Sequence, residues 1–293
     1  MDKNTKLQKA ADEHGLSLWK DAWKRLLKNK MAVFSLVVLG LMILACFGAP
    51  FISSYDYSQI DYKAFKQAPS SEHIFGTDPT GRDTFTRVLY GGQVSIKIAI
   101  LCTLISLSIG ITYGATAAYA GGRIDNLMMR FVDVMYSLPY MFLVIILMVV
   151  FGKNEYILFM AIGAVSWLTM ARIVRGQILS LKAKEFIEAA RSYGASHATI
   201  IFKHLVPNAL GTVIVYTTIT IPRVILVESF LSFLGLGIQE PNPSWGKLCV
   251  DGASVMETAP WLIIFPGLAL SITLFCMNFL GDGLRDALDP KMK

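Results

Sequence analysis

The 293-residue sequence predicts an all-α polytopic membrane protein with six transmembrane helices and both termini in the cytoplasm. Three observations carry this. Hydrophobic residues make up 54% of the chain and charged residues only 16%, against about 25% charged in soluble domains. Several apolar runs are long enough to cross a ~30 Å hydrocarbon layer. Lys and Arg concentrate in alternate loops. A large soluble core of buried helices is the competing class, but such helices rarely reach twenty consecutive apolar residues.

Before the first span, "LSLWKDAWKRLLKNK" (Leu16 to Lys30) repeats Leu16, Trp19, Trp23 and Leu26/Leu27 at helical spacing. Lys20, Lys24 and Lys28 line another face. This pattern fits a helix in the membrane interface, indoles at headgroup depth and lysines near anionic lipid. A solvated flank that only sets topology is the alternative.

The expected spans are Met31–Ile52, Val94–Tyr119, Phe131–Phe151, Tyr156–Ile173, Ala209–Leu231 and Trp261–Leu280. Pro139, Pro222 and Pro266 fall inside spans, where a kink shapes a path or merely aids packing. Counting loops on alternate sides, with Arg172 at the edge of the fourth span taken with the loop that follows it, gives 19 basic residues on one side and six on the other, with Lys97 and Arg223 inside spans. The richer side is cytoplasmic by the positive-inside rule. The N-terminus is too polar for a cleaved signal peptide, so the first span is expected to remain as an anchor.

The net charge of +6 is spread over membrane-flanking loops, which argues against nucleic acid as a partner. Of the cysteines, Cys46, Cys102 and Cys276 fall in spans and Cys249 in a loop. No CxxC or His/Cys cluster suggests a disulfide framework or a metal site.

The first outer loop contains "GTDPTGRD" (Gly76 to Asp83), which has the glycine spacing of a phosphate-binding loop. Arg82-Asp83 stands where that loop needs Lys and a hydroxyl. It reads instead as a turn-rich segment in which Asp78 and Asp83 bond backbone amides. With no other nucleotide motif and no catalytic constellation, the chain is expected to bind no cofactor and to be no enzyme. The last outer loop, about Ser232–Pro260, reads as ordered turns.

The informative interruption is "EFIEAARSYGASHATIIFKHLVPN" (Glu185 to Asn208). Phe186, Ala189/Ala190 and Tyr193 share one helical face; Glu185, Glu188 and Ser192 share another. Lys184–Glu188 and Glu188–Arg191 are spaced for weak ion pairs. Gly194 is free to take positive φ and end the helix. Ser196 is placed to cap a second helix from His197 to about Val206, closed by Pro207 before the fifth span. The result is a rigid cytoplasmic knob. A helix merely resting on lipid would show a basic, strongly apolar face; this one is small and acidic. His204 either serves the knob's partner or satisfies a helix-end carbonyl.

Glu188-Ala189-Ala190, Gly194 and His204-Leu205-Val206-Pro207 resemble the "EAA" loop of ABC importer permeases. "SLWKDAWKRLLKNKMAVFSL" and "FGTDPTGRD" are similar to signatures of the dipeptide/oligopeptide/nickel group. "ARIVRGQILSLKAKEFIEAA", "ESFLSFLGLGIQEP" and "NFLGDGLRDALDP" resemble its oligopeptide C-type permeases. The resemblance implies a type I ABC importer permease fold in a bacterial cytoplasmic (inner) membrane. Its expected parts are a cytoplasmic segment (1–30), a first helix with its outer loop (31–93), a permease core (94–283) with the coupling loop at 185–207, and a tail (284–293). It implies a homologous permease as heterodimer partner, two ATPase subunits holding ATP and Mg, and an extracytoplasmic peptide-binding protein. Dipeptides or a nickel or metal-chelate cargo are the alternatives.

The expected coupling residues are Glu185, Glu188, Ala189, Ala190, Gly194, Ser196, His204, Leu205 and Pro207. For the translocation path the candidates are Pro222, Arg223 and Glu228. Arg223 and Glu228, five residues apart on one helix, do not pair locally. Arg223 faces either a peptide carboxylate in the path or a carboxylate on the partner permease. A secondary transporter would need central acidic residues and usually a repeat; a channel needs no knob.

Overall fold

The computed structural model describes residues 18–288. Leu16 and the basic residues Lys3, Lys6, Lys9, Lys291 and Lys293 lie outside this range. Among the described residues the chain is helical, with one isolated bridge between Thr77 and Asp83.

Helix α1 (Leu18–Lys28) buries Ala22 and Leu26. Asn29 separates it from α2 (Lys30–Phe47), its side-chain oxygen accepting from the Met31 and Ala32 amides at 3.1 and 3.2 Å. These are donors a helix start leaves free. The expected first span to Ile52 is divided. Gly48 ends α2, and Pro50 sits in the first turn of the short α3 (Ala49–Ile52), where its missing N–H costs nothing.

Helix α4 (Thr84–Ala120) has 37 residues, or ~55 Å, well beyond the hydrocarbon thickness. The third expected span, Phe131–Phe151, is not one helix. It is broken into α5 (Gly122–Ser137) and α6 (Tyr140–Phe151), which meet at 83°. Pro139 forces Leu138 out of helical geometry, to φ −84° and ψ 133°, and so sets the break.

Helix α7 (Glu155–Lys182) packs along α4. Gly110 and Gly114, four residues apart, bring the two backbones together, and a Cβ on Gly110 would lie 2.6 Å from Met170 Cβ. Small residues at this spacing are a recurrent membrane-helix contact.

Then follow α8 (Glu185–Ser192), α9 (His197–Thr199), a π-helical turn (Ile200–Leu205) and α10 (Val206–Phe233). Pro207 does not close a second helix. The chain runs unbroken from His197 to Phe233, and the wider π turn stands immediately before the proline. The segment at about 232–260, expected to be a loop of ordered turns, also holds α11 (Trp245–Ala253), and α12 (Trp261–Leu288) ends the described chain.

Among the described residues, five helices are long and apolar enough to span a membrane, or six if α5 and α6 form one broken span. Ala22 and Leu26 of α1 pack on Leu280, Leu284 and Ala287 of α12. The opposite end of the bundle is capped by residues 53–83 and by α11. Phe75 stacks on Phe265 at 3.9 Å, and buried Trp245 donates its indole N–H to the Val88 carbonyl at 2.9 Å.

Candidate functional site

The knob is built as a helix, a stop and a restart. Gly194 has φ +74°. Its N–H reaches the Arg191 carbonyl at 2.9 Å, and the Ala195 N–H reaches the Ala190 carbonyl at 3.1 Å. Together these satisfy the last carbonyls of α8 through a left-handed glycine. Ser196 then caps α9, its hydroxyl accepting from the Thr199 amide at 3.2 Å.

One face of α8 is spent on the chain itself. Ile187 and Ala190 are buried beside the π turn, in one apolar cluster with its Ile200, Ile201 and Leu205 and with Ala115 and Ala118 of α4. Glu185, Phe186, Glu188, Ala189 and Tyr193 are exposed, Tyr193 at 92%. The two neighbouring alanines therefore part: Ala190 seats the knob and Ala189 faces outward. Neither ion pair of Glu188 forms; Arg191 lies over the Tyr119 ring at 5.6 Å. The His204 backbone carbonyl accepts from the Asn208 side chain at 2.6 Å, Leu205 is fully buried and Pro207 is exposed.

Three residues fasten the knob to the end of α4, a feature the sequence reading missed. The Tyr119 hydroxyl lies 2.8 Å from His197 Nδ1. Lys182 donates to the Ala118 and Tyr119 carbonyls at 3.2 and 2.5 Å, closing the C-terminus of α4. Nearby, Arg175 grips the buried carboxylate of Asp125 with two bonds of 2.6 and 2.7 Å, tying α7 to α5. An aromatic one residue from the end of α4 and a lysine at the end of α7 were the available signals. The Gly110–Gly114 spacing was likewise legible and unread.

The path candidates separate. Arg223 is exposed and lines a cavity of about 420 Å³ with Tyr136, Tyr140, Ser166, Thr169 and Thr220. The α5–α6 break forms part of its wall, through Leu138. Pro222 is buried. Glu228 is fully buried and outside this cavity; one carboxylate oxygen accepts from Ser232 at 2.8 Å and Ser244 at 2.7 Å. It joins α10 to the start of α11.

At the capped end, Asp83 caps α4 by accepting from the Thr86 amide at 2.8 Å, and buried His73 lies 2.9 Å from its other oxygen. Asp78 accepts from the Thr80 and Arg82 amides at 2.8 and 3.0 Å. Burial alone would raise the Asp78 pKa. The Thr80 hydroxyl, the Arg82 amide and the Arg82 guanidinium outweigh it and hold the carboxyl below its ordinary value.

Residues 109–293 match the family described as "Binding-protein-dependent transport system inner membrane component". Residues 17–69 match the "N-terminal TM domain of oligopeptide transport permease C". The chain is 52% identical to the oligopeptide transport system permease protein OppC of Haemophilus influenzae over 94% of this chain and 90% of that one. It is 45% identical to the dipeptide transport system permease protein DppC of Bacillus subtilis, over 95% and 87%. Among solved structures, a chain of the inward-facing methionine ABC transporter MetNI superposes with a TM-score of 0.56 at 19% identity, covering 69% of this chain and 96% of that one. That likeness is one of fold. The chain belongs to the family of binding-protein-dependent transport-system inner-membrane components, and its fold is that of a type I ABC importer permease.

Proposed function

We propose that this chain is the C-type permease of an ATP-driven importer of oligopeptides. It pairs with a homologous permease, two ATP-binding subunits and an extracytoplasmic peptide-binding protein. ATP and Mg belong to the ATP-binding subunits and none to this chain. The basic loops put both termini and the knob in the cytoplasm, and residues 53–83 and α11 outside. Within it, residues 94–283 are the moving permease core, 31–93 the first helix with its outer loop, and 1–30 and 284–293 cytoplasmic flanks. Lys20, Lys24 and Lys28 of α1 meet anionic lipid.

The observation that carries this reading is the knob at 185–207: closed at its Gly194 stop and capped at its Ser196 restart, seated on its own helices and presenting Glu185, Glu188, Ala189 and Tyr193 outward. Reversing a two-state population from 1:99 to 99:1 takes about 5.5 kcal/mol of differential bias. A floppy loop would dissipate that bias in its own disorder. Gly194, Ser196 and Leu205 keep the knob stiff, while His204 and Pro207 stand at its junction with α10.

Arg223 places its charge in a cavity that is largely apolar, with the Tyr140, Ser166, Thr169 and Thr220 side chains also on its walls, and there it attracts the C-terminal carboxylate of a passing peptide. Pro222 beside it and buried Glu228 shape the helix that carries it. The similarity to a dipeptide permease makes shorter peptides the second reading.

The test is uptake into proteoliposomes. The complete complex with loaded binding protein is expected to accumulate labelled oligopeptide only with ATP. ATP-independent accumulation by this chain alone would refute the proposal.

A further inference from the structure

The "GTDPTGRD" loop has no part in the coupling step, yet it organises a partly buried charge cluster at the capped end of the bundle. Arg82 is tightly bonded: Nε to Asp78 at 2.7 Å and Nη1 to Glu240 at 2.5 Å. Lys247 holds Asp251 at 2.7 Å. Arg87 is different. It is 1% exposed, yet Nη2 stands 3.5 Å from Glu240, Nη1 is 3.5 Å from the Tyr57 carbonyl, and Nε has no hydrogen-bond partner. The nearest Asp78 oxygen is 3.8 Å from Nε. Leaving donors of a buried cation so poorly matched costs free energy.

Both arginines border a cavity of about 220 Å³, with Asp78, Glu240 and Asp251 on its walls. Glu240 is the member that reaches in from the other outer segment. Its side chain is 45% exposed, against 12% for Asp78 and 13% for Arg82. Two guanidiniums around one carboxylate is the arrangement by which proteins recognise carboxylates. Glu240 bonds one of them well and the other poorly, from the rim of an open cavity.

We propose that the Arg82–Arg87 pair is a carboxylate-binding site in which Glu240 is a resident, displaceable occupant. Asp78 and Asp251 face the same cavity, so the site suits a singly charged anion and disfavours a dianion. The incoming carboxylate comes either from the C-terminus of a peptide or from an Asp or Glu side chain of a docked binding protein. This rests on the proposed function only in placing the cavity on the extracytoplasmic side.

The experiment measures binding to the purified, assembled complex in wild-type, Glu240→Gln and Arg82→Gln forms. The probes are tri-alanine, tri-alanine amide and the loaded binding protein. Removing the resident is expected to tighten binding about five- to tenfold, and Arg82→Gln to weaken it. Tightening for tri-alanine but not its amide assigns the site to peptide termini; tightening for the binding protein alone assigns it to a protein side chain. Glu240→Ala vacates the same arginines and serves where the Gln form does not fold. If a folded Glu240 variant binds all three probes no better than wild type, Glu240 is only a structural clasp and the proposal fails. ATP-dependent uptake by the wild type is unaffected by that result, so the two readings fail separately.

Discussion

The hydroxyl of Tyr119 and Nδ1 of His197 lie 2.8 Å apart across 78 positions of sequence. The contact joins the last turn of α4 to the start of the knob's second helix, and Lys182 and Arg191 both lie near the same ring at 5.6 Å. Helix α4 runs on from there, unbroken, to Thr84 beside the capped end. A push on the knob therefore reaches α4 through this aromatic as well as through apolar packing. In the assembled importer, Tyr119→Ala is expected to leave ATP hydrolysis in place while uptake falls about tenfold. Tyr119→Phe, which loses one hydrogen bond worth ~1 kcal/mol, is expected to fall about fivefold or less. The ratio of peptide moved to ATP consumed is the quantity to read.

Gly194 has open space around its Cα, so a side chain there meets no clash; its φ of +74° is the constraint. An L-residue in that region costs ~1–2 kcal/mol, more when β-branched. Gly194→Asn should retain most coupling, because asparagine tolerates left-handed geometry, and Gly194→Val should lose it. Stimulation of ATP hydrolysis by loaded binding protein checks this. Wild-type stimulation in the Val form would show that the turn is not needed.

Gly114→Val tests the α4–α7 contact. Overpacking a tight helix pair costs ~1–3 kcal/mol. The variant is expected to unfold at lower temperature in detergent than Gly40→Val, whose position has nothing within 4 Å.

Arg223→Leu distinguishes path from pairing. With the guanidinium serving a peptide carboxylate, the complex assembles normally. KM for peptides with a free C-terminus rises about tenfold, the value of one charged hydrogen bond, and KM for their amides stays unchanged. Loss of the partner permease on purification would assign Arg223 to the subunit interface instead.

The charge cluster at the capped end sets a pH limit. Asp78 and Glu240 are both held below the ordinary carboxylate pKa: burial opposes this in each, while Arg82 bonding outweighs it in both, joined by Thr80 at Asp78 and by Arg87 at Glu240. Groups depressed on folding stabilise fully above their unfolded pKa, about 4, and lose that contribution as pH falls through the lower folded value. The Tm difference between wild type and Asp78→Asn should be constant from pH 5 to 8 and shrink below about pH 4. A difference that changes between pH 6 and 8 would point to another group.

The apolar runs and basic loops made the helices readable, because length and charge are one-dimensional signals. The Gly194 stop, the Ser196 cap and the amide-binding roles of Asp78 and Asp83 were readable for a related reason: each acts within a few residues of itself. What the sequence hid is either long-range or decided by a balance. Tyr119 and His197 meet only after the chain has crossed and returned. Glu228 was a candidate for the path, yet it is fully buried and bonded by Ser232 and Ser244, the second from beyond its own helix. Pro139 and Pro207 are both prolines in apolar stretches; the first breaks the helix and the second does not, because a π turn precedes it. The face assigned to Phe186, Ala190 and Tyr193 divided because Ile187 competed for the interior.

The most direct test of the coupling surface is the accessibility of position 188. In a Cys249→Ser background, Glu188→Cys is expected to react with a membrane-impermeant maleimide in inside-out vesicles and not in intact spheroplasts, and to be shielded when the ATP-binding subunits are bound. Reaction from the spheroplast exterior, or labelling indifferent to those subunits, would contradict the account of the knob as the place where the engine takes hold.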